Sequence, residues 1–439
     1  MIELISITVS FFILFSLSLF PFRINSFEKN NFFYNFKLFD IFLLNLIINI
    51  GFLLLISFTT ISYTNYFILI IIISLIYSLF NLIKINKYFK FFKNKNFILF
   101  IILNFIIALH IISNPILAWD GLENWYFKAQ NFFYNYNFFD LKGLKGNNYY
   151  PHLGSLIWGF LWKNSILQYE YLGRIFYIYI YLLSIFSLSG LIEKNNHLKI
   201  IIISLIIILS FDDFLFRGYQ EVLLFSLFIF ISKNFYIYLK SERSIHLIIC
   251  FFCLNLIPWV KHEGTLLTFI YSISILFIIK YFSNKLQIIS LIFITWFLLI
   301  FKNYIFYKYL DLNFAHGGGN KFFNESKNIL EFIYLFSLGL FVALMKYKIW
   351  IAILVSFYFV QRNNLFSAKG KLYFSFLKIN LTLFLILLLG IYYNLFTNSN
   401  IDFNWWIDNS LDRLIFSISG IFVIQIIFFS NYIKNYILK

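Results

Sequence analysis

The chain has 439 residues, of which 61% are hydrophobic, 23% aromatic and only 12% charged. Soluble domains run nearer roughly 45–50% apolar and 25% charged, so a soluble enzyme is excluded, and so is a disordered chain. Two cysteines exclude a disulfide framework, which leaves an all-α, polytopic integral membrane protein.

A helix needs about 20 apolar residues to cross a bilayer. In chain order, apolar runs occupy 2–22, 38–58, 63–83, 97–113, 170–191, 198–210, 221–239, 245–257, 264–282, 288–306, 329–345, 349–360, 373–396 and 413–433. Some are short, and the stretch 153–162 has the length of an interfacial segment. About 12–13 true spans are expected. Three regions follow: additional helices over 1–96, a core over 97–328 with a long loop at 114–152, and C-terminal helices over 329–439 with a loop at 397–412.

The net charge of +16 is read as an orientation signal, without nucleic acid as a partner. Lys84, Lys87, Lys90, Lys93 and Lys95 fill one short loop without an acid, which places it in the cytoplasm. Loop 114–152 is then expected on the opposite face. Continued alternation requires an odd number of crossings between 328 and 361, where two apolar runs are visible. One of them is therefore expected to fall short. The outer loops so defined collect most of the unusual polar residues: Asp120, Glu123, Lys128, His152, Asp212, Asp213, Arg217, Glu221, Lys261, His262, Glu263, His316, Asp402, Asp408 and Asp412.

Ala118-Trp119-Asp120-Gly121-Leu122-Glu123-Asn124-Trp125-Tyr126-Phe127-Lys128-Ala129-Gln130 follows a span and Pro115. Asp120 suits a helix N-cap, Glu123 the first turn, and Trp119, Trp125 and Tyr126 an interfacial belt. This segment resembles the first outer loop of the GT-C glycosyltransferases, in the branch of protein O-mannosyltransferases and the lipid A aminoarabinose transferase. Tyr149-Tyr150-Pro151-His152, Tyr171-Leu172-Gly173-Arg174, Arg217-Gly218-Tyr219-Gln220-Glu221, Trp259-Val260-Lys261-His262-Glu263-Gly264 and Ser410-Leu411-Asp412-Arg413-Leu414 continue the resemblance in order. The sequence departs from that branch in two ways: three spans precede the one before Asp120, and Glu221 replaces an expected Asp without a following Pro.

The resemblance implies a GT-C-like fold and sugar transfer from a polyprenyl-phosphate donor to a glycan, lipid or protein acceptor. The implied place is the periplasmic face of a bacterial inner membrane, in cell-envelope glycan synthesis. Asp120 is then the general base, and Glu221 a second acid that orients the acceptor or tunes Asp120. Lys261 suits a phosphate as a point charge, and Arg174, Arg217 and Arg413 suit bidentate phosphate contacts or snorkelling at span ends. Glu123, Lys128, His152, His262 and Glu263 complete the substrate-binding candidates. No cofactor is required; a divalent ion is compatible with the His and acid types present, but no tight ligand spacing calls for one.

Cys250-Phe251-Phe252-Cys253 reads as core filling within an apolar run, and His316-Gly317-Gly318-Gly319-Asn320 as an outer loop. A transporter or flippase of lipid-linked saccharides is the alternative, but it predicts internal repeats with mid-span charges. A polysaccharide polymerase or ligase would lean instead on outer-loop arginines.

Overall fold

The computed structural model describes residues 2–22, 36–82, 94–142, 150–192, 196–310, 328–362, 368–398 and 402–437. The basic loop at 84–93 and the His316 segment lie outside them. No strand occurs among the described residues. Among the described residues, nine helices are long and apolar enough to cross a membrane, or ten if the bent pair Phe403–Phe422 and Ile424–Asn431 forms one span. The chain is thus a multi-pass helical membrane protein. The expected 12–13 spans had included apolar runs that fold as shorter helices, Asn196–Ser210, Ser244–Val260 and Ile349–Arg362. A 14-residue helix reaches only about 21 Å, against a hydrocarbon core of about 30 Å.

The chain divides into two compact units: residues 1–230 with 258–262, and residues 231–257 with 263–439.

In the first unit, α1 (Ile2–Leu19) packs on α2 (Leu38–Ile56). Asn45 and Asn49 of α2 donate to the carbonyls of Leu17, Ser18, Phe20 and Phe22, which end α1 without helical partners. Tyr63–Leu82 forms α3 and Lys95–Ser113 forms α4. A π-helical turn, Gly121–Tyr126, leads into α5 (Phe127–Phe133). Helix α6 (Leu153–Lys163) is buried from Leu153 to Trp162. It packs between α5 and α7 (Glu170–Ser187) through glycines: a Cβ on Gly159 would lie 2.3 Å from the Ala129 carbonyl, and one on Gly173 2.4 Å from the Trp158 carbonyl. Lys163 Nζ donates to the Phe133 carbonyl at 2.8 Å and ties the ends of α5 and α6 together. Asn196–Ser210 forms α8 and Glu221–Ser241 forms α9.

The second unit contains most of α10 (Ser244–Val260), then α11 (Glu263–Ile278), α12 (Lys285–Leu310), α13 (Ile329–Lys346), α14 (Ile349–Arg362), α15 (Ala368–Asn398), α16 (Phe403–Phe422) and α17 (Ile424–Ile437). A ladder of contacts runs in one direction along α13 and α14. Phe332 meets Phe403 at 5.8 Å, a Cβ on Gly339 would meet Ile407, Tyr347 meets Phe416 at 5.0 Å and Phe359 meets Phe429 at 5.3 Å. The two helices therefore run in one direction beside α16 and α17. Helix α14 is the shorter piece. Helix α15 returns antiparallel, with Phe374 against Phe357 and Phe396 against Phe332.

Much of the expected loop at 397–412 is helical. Asp402 accepts from the Asn404 amide, and α16 begins directly after it. Phe403, Ile407 and Leu411 recur every four residues on its buried face, the spacing of an amphipathic helix.

Candidate functional site

Four segments of the first unit come together around the Asp120 turn. The helix begins at Trp119, so Asp120 lies inside the first turn with helical φ and ψ and makes no cap hydrogen bond. This corrects the expected N-cap. Its Oδ1 accepts instead from Asn124 Nδ2, one turn on, at 3.1 Å. The register is set from outside the helix. Ala118 N donates to the Arg217 carbonyl at 2.9 Å, and a Cβ on Gly121 would lie 2.4 Å from that oxygen. Gly218 faces it with φ +96°, the left-handed region that glycine enters without a Cβ clash. The Asp120 turn and the segment leading to Glu221 thus meet backbone to backbone.

Glu221 opens α9 and is 1% exposed; its Oε1 accepts from Lys261 Nζ at 2.9 Å. Lys261 lies in the turn between α10 and α11, just after Pro258 near the end of α10. Its side chain is 12% exposed, which leaves the ammonium at the edge of the buried region.

The adjoining His262 ring lies 5.3 Å from the Tyr150 ring, and Tyr150 lies 5.5 Å from Trp125. Lys128, on α5, donates to the Tyr150 carbonyl and sits 6.0 Å from the centre of the Trp125 ring. Burial lowers the Lys128 ammonium to about 7, because the charged form loses hydration. Tyr150 links the Lys128 helix to the Lys261–His262 turn. The motifs alone did not single it out, although it stands beside Pro151.

Other expected residues hold the scaffold in place. His152 is fully buried, with Nε2 3.2 Å from Ser57 Oγ, among the rings of Phe58, Phe132, Phe138 and Trp259. The Arg174 guanidinium bonds Glu170, the Pro115 carbonyl at 2.7 Å and the Phe216 carbonyl at 3.3 Å. It clamps the chain before Asp120 to the chain before Glu221. Arg217 pairs with Asp213 at 2.9 Å, and Glu123 is exposed. Glu263 and Arg413 belong to the second unit. Cys250 and Cys253 are buried thiols.

The arrangement combines a half-buried carboxylate, a buried carboxylate–ammonium pair and a second buried lysine, bordered by aromatic rings. Such a set can take a proton from a hydroxyl and stabilise an anionic leaving group. Among the described residues, no group of three His, Cys, Asp or Glu side chains is placed to hold a metal ion. No family model, curated protein or solved structure matches the chain.

Proposed function

We propose that the protein is a GT-C-type membrane glycosyltransferase that moves one sugar from a polyprenyl-phosphate donor to a glycan, lipid or protein acceptor on the periplasmic face of a bacterial inner membrane. The observation that carries this reading is the Glu221–Lys261 pair, joined through the Arg217–Gly218 backbone to the Asp120 turn. These segments lie far apart in the chain, and they are the ones whose motifs resemble that superfamily.

In the proposed reaction the Asp120 carboxylate takes the acceptor hydroxyl proton as the acceptor oxygen bonds to the anomeric carbon. The bond from that carbon to the phosphate oxygen breaks, and its electron pair leaves with the polyprenyl phosphate. The sugar is attacked opposite the phosphate, so its configuration inverts. Lys261 stabilises the departing phosphate, and Glu221 fixes the direction of the Lys261 ammonium. Lys128 and Tyr150 hold the turn bearing Lys261 against the Asp120 helix. The aromatic groups and the bilayer keep water from competing for the sugar.

The test is sugar transfer by the purified full-length protein, offered a panel of polyprenyl-phosphate sugars with mixed glycan, lipid and peptide acceptors. Release of polyprenyl phosphate with at least one donor is expected. Failure with every donor, from protein that is folded and lipid-reconstituted, would overturn the reading.

A further inference from the structure

The turn between Arg217 and Glu221 carries a buried amide that the proposed reaction does not use. Gln220 directly precedes α9. Its carbonyl accepts from the Leu223 and Leu224 amides at 3.1 and 3.3 Å, and so starts the helix that Glu221 opens. A residue in that place often turns a short polar side chain forward to cap the helix. The Gln220 side chain is fully buried and bonds elsewhere. Its Nε2 donates to the Gly218 carbonyl at 3.3 Å, and its Oε1 accepts from the Tyr177 hydroxyl of α7 at 3.0 Å. These two partners fix the orientation of the amide, because a carbonyl can only accept.

One end of this contact rests on packed helices. The Tyr177 hydroxyl also lies 3.0 Å from the Gly154 carbonyl of α6. Gly154 leaves the space that the amide fills: a Cβ there would lie 1.5 Å from Gln220 Oε1 and 2.5 Å from its Cδ. Helices α6 and α7 are buried along most of their length, and close packing leaves them little freedom to shift.

The other end is the backbone that sets the Asp120 turn. A Cβ on Gly218 would lie 2.9 Å from Gly121 Cα, and the neighbouring Arg217 carbonyl holds the Ala118 amide at 2.9 Å. On the other side of Gln220, Glu221 holds Lys261. Gln220 thus stands between the two halves of the site and ties the backbone they share to α6 and α7. A buried amide that only filled space could give way to an apolar side chain of similar shape at little cost. Here that exchange would release the Gly218 carbonyl and the turn that rests on Gly121.

We propose that Gln220 is a positioning residue: its amide braces the Arg217–Gly218 turn against α6 and α7, and so fixes the distance between Asp120 and the Glu221–Lys261 pair. The catalytic consequence rests on the sugar-transfer reading, whereas the brace itself rests on geometry alone. Misplacing a reacting group lowers the rate of the chemical step more than it weakens binding, so the loss should fall on kcat.

The test compares full-length, lipid-reconstituted Gln220→Met, Tyr177→Phe and Tyr181→Phe with the parent, by amide hydrogen exchange over residues 116–124 and by steady-state sugar transfer. Met keeps the reach of the side chain without either hydrogen-bonding atom. Exchange about fivefold faster is expected in Gln220→Met, with kcat lower by about tenfold and KM within about twofold of the parent. Tyr177→Phe removes only the hydroxyl and should move both readouts the same way by less; it decides alone if Gln220→Met does not fold. Tyr181→Phe removes an equally buried hydroxyl one turn further along α7, 2.7 Å from Ser210 Oγ, and should leave both readouts at the parental values. Unchanged exchange in the deciding variant, a loss carried by KM instead of kcat, or equal changes in Tyr181→Phe would overturn the proposal. A parent that transfers no sugar overturns the sugar-transfer reading instead, and hydrogen exchange then decides the brace.

Discussion

Two carboxylates flank π-helical turns in this chain, and they are held in different ways. Asp120 precedes Gly121–Tyr126, where the backbone of one segment rests on the backbone of another through Gly121 and Gly218. Asp412 follows Ile407–Leu411, where its ion pair with Lys346 and the Tyr392–Ser410 hydroxyls position the groups. The same contrast extends through the two units. In the first, α6 and α7 are buried almost throughout and meet at glycines. In the second, α12, α13 and α15 expose long apolar faces. Close backbone contact leaves little room for adjustment, whereas ion pairs between exposed helices can re-pack around a ligand. The difference gives the Asp120 turn fixed distances and leaves the Asp412 turn more room to adjust.

The strongest way to break the contrast is Arg174→Met. The substitution leaves the half-buried Glu170 carboxylate without its cation and two carbonyls without their donor. A cost of about 3–5 kcal/mol is expected, read as a large fall in melting temperature. A variant as stable as the parent would show that the clamp is dispensable.

Glycine substitutions sharpen the comparison. Gly173→Ala puts a Cβ 2.4 Å from the Trp158 carbonyl and should cost about 1–3 kcal/mol. Gly390→Ala in α15 meets nothing within 4 Å and should be neutral, or stabilising by up to about 1 kcal/mol through helix propensity. Equal effects in denaturation experiments would remove the distinction between the units.

An independent check concerns pH. Folding moves the Lys128 pKa down to about 7 from 10.5. Between those values the unfolded chain binds the proton and the folded chain does not, so stability should rise as pH increases from 7 towards 10.5. Below pH 7 both states are protonated and this contribution is flat. Lys128→Met should remove the rise, and an unchanged pH profile in that variant would show that Lys128 is not its source.

The membrane class and the helical architecture were legible because apolar runs of span length have no soluble alternative. The Asp120 cap was misread because the register there is set by Arg217 and Gly218, almost a hundred residues away, and not by local capping preference. The segment 402–412 looked like a loop because Asp402, Asn404, Asp408 and Asn409 dominate its composition. Its four-residue recurrence of Phe403, Ile407 and Leu411 was nevertheless visible and marks the helix. Lys302, Lys346 and Tyr392 lie within or at the ends of apolar runs, away from the polar loops that carry the motifs. Ionisable groups inside apolar runs are themselves the signal of a polar cluster.

The proposed roles in the first unit rest on Asp120 as the base that removes the acceptor proton. The most direct measurement is the rate of sugar transfer by Asp120→Asn, compared with the parent on the same polyprenyl-phosphate donor. The amide keeps the size of the side chain and an oxygen able to accept from Asn124, but it cannot take up the proton. A fall of about 10²- to 10⁴-fold with the protein still folded is predicted; transfer at the parental rate would contradict the account.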